Sequence, residues 1–193
     1  MESEGQGKRA PSPLRVAITS GQVAMCVEFA RECEQVRGYA RSGGWRGGLL
    51  TARTLFGGHR VESHECSTVI GKIGEVAMCI LAGEKVDTAI RRSGDGGKDL
   101  RLPCGSLQVK TSSSNSTEKL VKDPPEMCDW FVFVRWDGVC PVVFVDGYIS
   151  RSFLFNREPQ KSRRGSWMNR VVMCSELRPI RSLLAIRPIS EVI

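Results

Sequence analysis

The stretch STVIGKIGEVAMCILAG constrains this chain more than any other. From Val76 to Ala82 no side chain is polar except the Cys79 thiol, and Ile70 and Ile73 precede it. The spacing predicts a helix from about Ser67 to Leu81, stopped by Gly83. A helix that is apolar nearly all round has to be buried, so other elements must cover it. Glu75 lies near its middle. An unpaired carboxylate in a dry interior is strongly unfavourable. Glu75 therefore needs a cation, a set of strong donors or an open site. An ion pair with an Arg or Lys is the structural alternative to a functional carboxylate.

A chain of 193 residues, 41% apolar and 25% charged, is long enough to bury that helix in one domain without disulfides or metal staples. The eight cysteines stand singly, with no CxxC pair, and the two histidines, His59 and His64, are not at zinc-finger spacing. Several cysteines lie within apolar runs such as VAMCIL and VVMCSEL, so they read as reduced core thiols; an unrecognised metal or redox site is the alternative. No apolar run reaches the ~18 residues of a membrane span. The polar start, MESEGQGKRAPSPLR, has no apolar stretch behind its charges. The expectation is a cytoplasmic or nucleoid-associated protein, not secreted. Residues 1–15 are expected to be a disordered segment and 16–193 a single domain.

Thr19 with Gln22 reads as a capping box. Val23, Cys26, Val27, Ala30, Cys33 and Val36 then recur at helical spacing, which predicts a helix over about Ser20 to Ala40. The next stretch, 41–60, carries six glycines with Arg41, Trp45, Arg46, Arg53 and Arg60, and reads as a mobile connection. Strands are predicted around Lys85–Ile90, Asp99–Leu102, Leu107–Thr111, Trp130–Arg135 and Val139–Val145. The last two form a hairpin through Trp136-Asp137-Gly138, and Pro141 argues for an edge or a strand start. SSSNSTEKLVKDPPEM reads as a loop and GYISRSFLF as a short helix. NREPQKSRRGSWMNR reads as a basic loop, and VVMCSEL as a last strand or short helix. This order predicts an α/β class with a mixed β-sheet flanked by helices.

Charge adds a partner class. The net charge is +7, and residues 151–193 hold nine basic and three acidic residues, whereas 111–150 hold three basic and six acidic. A basic C-terminal part favours a polyanion, most simply nucleic acid, although an ordinary soluble protein can also be basic. Arg157, Lys161, Arg163, Arg164 and Arg170 surround Trp167, a pattern that pairs phosphate neutralisation with stacking. A disordered charged loop would look the same.

The segment DLRLPCGSLQVK reads as a hairpin with a four-residue loop, Pro103-Cys104-Gly105-Ser106. That loop sets Leu102 against Leu107, Arg101 against Gln108, Leu100 against Val109 and Asp99 against Lys110. Alternation puts Leu100, Leu102, Leu107 and Val109 on a core face and Asp99, Arg101, Gln108 and Lys110 on the other. Taken alone, an Asp–Lys pair on a solvated face is unremarkable. Before Asp99 stands SGDGGK, whose glycines let backbone come close to a ligand; Asp95 within it reads first as a turn-former.

Glu75 in its apolar helix, GDGGKD ending in Asp99, and Gln108-Val109-Lys110 follow in that order. The set resembles the PD-(D/E)xK nuclease superfamily. Within it, the closest pattern is the restriction-endonuclease-like branch of Mrr and Holliday-junction-resolvase type, with a QxK variant of the motif. The resemblance spans about Gly71 to Thr111, with looser agreement up to Val145 (71–145 as core). It implies a restriction-endonuclease-like core and Mg²⁺-dependent hydrolysis of phosphodiester bonds, with Mn²⁺ as substitute. Asp99 takes the place of the metal-binding acid, Lys110 that of the motif lysine and Glu75 that of the helical glutamate. Gln108 stands where an acid is usual, so Glu75 and Asp99 become the metal carboxylates. An amide oxygen can still touch a hydrated ion, but it brings no charge. Arg101, on the same face, is a candidate phosphate contact. The partner implied is nucleic acid, in the first place DNA, with no membrane and with a homodimer favoured if both strands are cut.

Two rival classes remain. One is a nucleic-acid-binding module of the same fold that cuts nothing, which Gln108 keeps open. The other is a protein-interaction domain in which Glu75, Asp99 and Lys110 form a structural network. On the catalytic reading, removing Asp99 from two crowded acids is expected to leave the metal-free protein at least as stable.

Overall fold

The run WFVFVR sends alternate side chains to opposite faces of a strand, and both sets are apolar. Such a strand has to lie between two covering layers. The computed structural model, which describes residues 10–37, 52–90, 98–113, 115–122, 127–161 and 168–185, is built around it. Its strands are β1 (Leu14–Ala17), β2 (Arg53–Thr54), β3 (Arg60–Val61), β4 (Leu100–Leu102), β5 (Gly105–Ser112), β6 (Glu118–Lys122), β7 (Trp130–Arg135), β8 (Val142–Ser150), β9 (Gln160–Lys161) and β10 (Met168–Met173). The helices are α1 (Ser20–Arg37), α2 (Ser63–Ala82), α3 (Arg151–Phe155) and α4 (Ile180–Leu184).

The main sheet has the order β1-β8-β7-β5-β4 and is mixed, because β5 and β7 run parallel while the other neighbours are antiparallel. A smaller sheet, β6-β10-β9, and the ribbon β2-β3 complete the strands. Val132 and Val134 of β7 join a core with Val23 and Cys26 of α1, Ile73 and Val76 of α2, and Leu183 of α4. Phe131 and Phe133 face the other way, into a second core with Val121 of β6, Leu154 of α3 and Val172 of β10. The expected α/β class, a mixed sheet flanked by helices, is observed. Among the described residues, no helix is long and apolar enough to cross a membrane.

Local chemistry sets the helix ends. Thr19 and Gln22 form the expected capping box, with Thr19 N–H donating to Gln22 Oε1 at 2.8 Å and Gln22 N–H to Thr19 Oγ1 at 3.2 Å. α2 starts four residues earlier than periodicity suggests, because Glu65 Oε2 accepts the Glu62 N–H at 2.9 Å and extends the first turn. It stops at Gly83, whose φ of 72° is the left-handed cap a glycine adopts without strain. Residues 38–40, and 41–51 of the glycine-rich connection, lie outside the described residues.

Several expectations are corrected. The segment 85–90 is not a strand: Asp87 Oδ1 accepts the Ala89 N–H at 2.8 Å, a local turn that competes with extension. The Ser-rich segment read as a loop contains β6, which pairs with β10 along five residues. Residues 14 and 15, placed in the disordered N-terminal segment, belong to β1 and pair with β8. β8 runs on to Ser150, so only Arg151–Phe155 of GYISRSFLF is helical. The basic loop after it holds β9 and the start of β10. Pro141 stands just before β8, as its missing N–H requires.

The β7–β8 pairing slips between Phe133 and Val134. Asp146 is the extra residue of this bulge, and it reverses the alternation, so that Val143, Val145 and Tyr148 all reach the helical core. Asp146 is thereby aimed at Lys119 Nζ, 2.7 Å away, and Arg135 Nε, 2.7 Å away.

Candidate active site

The β4–β5 hairpin turns more tightly than expected. Leu102 pairs with Gly105, Arg101 with Ser106 and Leu100 with Leu107, leaving only Pro103-Cys104 as the connection. The register differs from the four-residue reading by two, and an even slip keeps every side chain on its face. Leu100, Leu102, Leu107 and Val109 are accordingly all buried in the helical core. The turn is pinned from outside the hairpin. Trp130 Nε1 donates to the Cys104 carbonyl at 2.9 Å, and Asp129 Oδ2 accepts both Ser106 N–H and Ser106 Oγ–H at 2.7 Å. Those two donors hold the Asp129 carboxyl below the usual carboxylate range. Gly105 has φ 125°, and a Cβ there would sit 2.7 Å from Asp129 Oδ2, so the close approach needs glycine.

The slip changes who meets whom. Asp99 meets Gln108, not Lys110: its Oδ2 accepts Gln108 Nε2 at 2.9 Å and the Val109 N–H at 2.6 Å. The Asp99 N–H donates to the Leu107 carbonyl at 2.8 Å. An ionised carboxylate only accepts, so the Gln108 amide must present its nitrogen to Asp99 and turn Oε1 away. Gln108 is 8% exposed, and its Oε1 is buried without a hydrogen-bond partner. Lys110 is half-buried and follows on the same face of β5.

Glu75 finds its cation within its own helix. Lys72 Nζ lies 2.6 Å from Glu75 Oε2, with the side chains 7% and 19% exposed, and the ammonium sits 4.4 Å from the Phe29 ring centroid. The structural alternative raised for this residue is therefore realised, and Lys72 is a partner that periodicity alone left unassigned. Around the pair, burial pushes the Cys26 thiol up to about 12 and the Cys79 thiol up to about 11. No disulfide links any of the eight cysteines. α2 lies directly on β5, because a Cβ on Gly74 would collide with Thr111 Oγ1 and press on Val109. The structure thus joins Asp99 to Gln108 and Glu75 to Lys72; the Gly74–Thr111 packing links the helix of one pair to the strand of the other.

The basic candidates separate. Arg101 is exposed on the face that carries Asp99, and Lys161 is exposed on β9. Arg163, Arg164 and Trp167, like Asp95, lie outside the described residues. Arg170 is not placed for a polyanion: it is 9% exposed and donates to the carbonyls of Leu154 and Phe155, both at 2.9 Å, and of Arg157. It closes the C-terminal end of α3 instead. Arg157 pairs with Glu176. The buried Lys119–Asp146–Arg135 cluster escaped sequence reading, although an acid inside VVFVDGYI is the same kind of signal that drew attention to Glu75. No protein-family model, no curated protein and no solved structure matches this chain.

Proposed function

We propose that this chain is a metal-dependent nuclease with a restriction-endonuclease-like core, hydrolysing phosphodiester bonds in DNA in the cytoplasm or nucleoid. One observation carries the reading: Gln108, whose Nε2 donates to the Asp99 carboxylate, has a buried carbonyl oxygen, Oε1, that no donor among the described residues satisfies. Native structures rarely leave such an oxygen bare, and an ion or its water is a ready explanation. Both groups are hard oxygen ligands of the kind Mg²⁺ takes while keeping several waters, and Mn²⁺ accepts the same set. With the Gln108 amide reversed so that Oε1 faces Asp99, the two would hold the ion, which when bound polarises a phosphate and lowers the pKa of a water. The Val109 N–H fixes the Asp99 carboxylate in place. Lys110 steadies charge on the phosphate oxygens or orients the attacking water. Glu75, the second carboxylate that the motif implies, stands on α2 against the Val109–Thr111 face of β5, opposite Asp99 and Gln108, and Lys72 already offsets its charge. Arg101 and Lys161 contact the backbone, and a homodimer serves both strands.

The same ion pair, together with a neutral Gln108, favours a second reading: a DNA-binding module that does not cut. Supercoiled plasmid incubated with Mg²⁺, Mn²⁺ or EDTA separates the two. Metal-dependent nicking, lost in Asp99→Asn and in Lys110→Ala with both variants still folded, supports the nuclease. A gel shift without nicking supports the module. Neither nicking nor shift removes both readings.

A further inference from the structure

The hairpin turn and the start of α3 enclose a cleft of about 500 Å³ on the side of the sheet that carries Asp99. Among the described residues its charged lining is Lys98, Arg101, Arg151 and the carboxylate of Asp129. Lys98 and Arg101 are exposed, and among the described residues no carboxylate lies within 4.0 Å of either. Asp129 Oδ2 accepts the two Ser106 donors, which hold the carboxylate in place in its ionised form. The walls are fixed before any ligand arrives. Asp129 N–H donates to the Ser106 carbonyl at 3.0 Å, Arg151 N–H to the Asp129 carbonyl at 3.0 Å, and Arg151 stacks on the Phe155 ring at 4.3 Å. Lys98 and Arg101 are thus two exposed cations beside one ionised carboxylate, a lining that suits a compact anion with several acceptor oxygens. The volume is that of a small-ligand site.

From this we infer that the cleft is a phosphate subsite for a nucleic-acid backbone, held by Lys98 and Arg101, with Arg151 in its wall, and distinct from Asp99–Gln108. Arg101 stands two residues from Asp99 along one strand face, about 6.6 Å. The cleft therefore takes a phosphate neighbouring the one at Asp99. The inference rests on nucleic acid as the partner, but not on cleavage.

Binding in EDTA tests it without any chemistry. A short fluorescein-labelled DNA duplex is titrated with the full-length protein by anisotropy at several salt concentrations. Each lost phosphate contact lowers the slope of log Kd against log salt by about 0.9. The double variant Lys98→Gln/Arg101→Gln is expected to lower it by about 1.8 and to weaken binding about ten- to a hundredfold. A charge-matched control, Lys85→Gln/Arg181→Gln, removes exposed cations after α2 and on α4 and is expected to change both far less. Equal losses in the two doubles, or a wild type that binds no duplex, would overturn the subsite. A wild type that binds duplex in this way but never nicks plasmid would count against the nuclease and leave the subsite standing.

Discussion

Replacing Asp99 by Ala should destabilise the metal-free protein, whatever the protein catalyses. The crowded-acid argument expects the opposite, but the geometry shows Asp99 as an acceptor hub rather than one of two repelling acids. Its Oδ2 takes the Val109 N–H at 2.6 Å and Gln108 Nε2 at 2.9 Å, and both donors belong to buried residues. A hydrogen bond to a charged group contributes about 1.5–3 kcal/mol, and an orphaned buried donor is penalised on the same scale. Asp99 itself is half-buried, so water replaces part of what is lost. The expected cost is about 2–4 kcal/mol, which for a chain of this size is about 5–15 °C in Tm. Asp99→Asn should behave differently. Its Oδ1 takes the place of Oδ2 and still accepts both the Val109 N–H and Gln108 Nε2. Only charge assistance is lost, about 1 kcal/mol. Thermal melts of wild type and both variants in EDTA measure this directly. If the Ala variant melts with or above wild type, or no lower than the Asn variant, the hub is not what holds the hairpin and the reasoning fails. The result also governs the activity assay, because an inactive Asp99→Ala would report folding as much as chemistry.

Four further outcomes follow from single contacts. Gly74→Ala should lower stability by about 1–3 kcal/mol through the clash with Thr111 Oγ1, and Thr111→Ala in the same chain should recover part of it in the melt. Lys72→Met removes the cation from a carboxylate only 19% exposed and should cost about 2–4 kcal/mol in urea unfolding; an unchanged midpoint would show that Glu75 is satisfied elsewhere. Arg170→Met strips the donor from the carbonyls at the end of α3, so it should lower Tm by several degrees while duplex affinity per folded molecule stays unchanged. The Asp129 carboxyl is held below its ordinary range by the Ser106 donors, so its stabilising effect is present above the ordinary carboxylate pKa and disappears as pH falls through the depressed one. The Tm gap between wild type and Asp129→Asn should therefore close on acidification, and a gap that widens would contradict the sign.

What could be read beforehand was whatever periodicity writes into side chains. The Thr19–Gln22 box, the apolar helix ending at Gly83, the two-faced strand β7 and the apolar face of the β4–β5 hairpin all carry their signal locally. The misses share one cause: their signal lies in a distant partner. β6 looks like a loop because only Val121 on it is a buried apolar side chain; its other buried residue is Lys119, tolerated through Asp146 of β8. β1 offers four residues and one buried valine, and becomes a strand because β8 supplies the ladder. Segment 85–90 alternates passably, yet a local Asp87 turn takes it out of the sheet.

The candidate site divides along the same line. Alternation correctly put Asp99, Arg101, Gln108 and Lys110 on one face, and that survived a wrong loop length because the slip was even. Which side chains touch was not legible, since the tight turn is imposed by Trp130 and Asp129, more than twenty residues away in sequence. Glu75 shows the converse. The need for a cation follows from burial alone, but burial does not say that its source is Lys72, one helical turn away. A buried charge thus announces that a partner exists without naming it. In this chain Asp146 posed the same demand and was answered by a structural cluster, as Glu75 was by Lys72. Gln108 Oε1 poses it still, because its acceptor capacity is buried and no donor among the described residues answers it. A metal ion at Asp99 would therefore answer a neutral amide oxygen, and not the two-carboxylate charge balance that the motif by itself suggests.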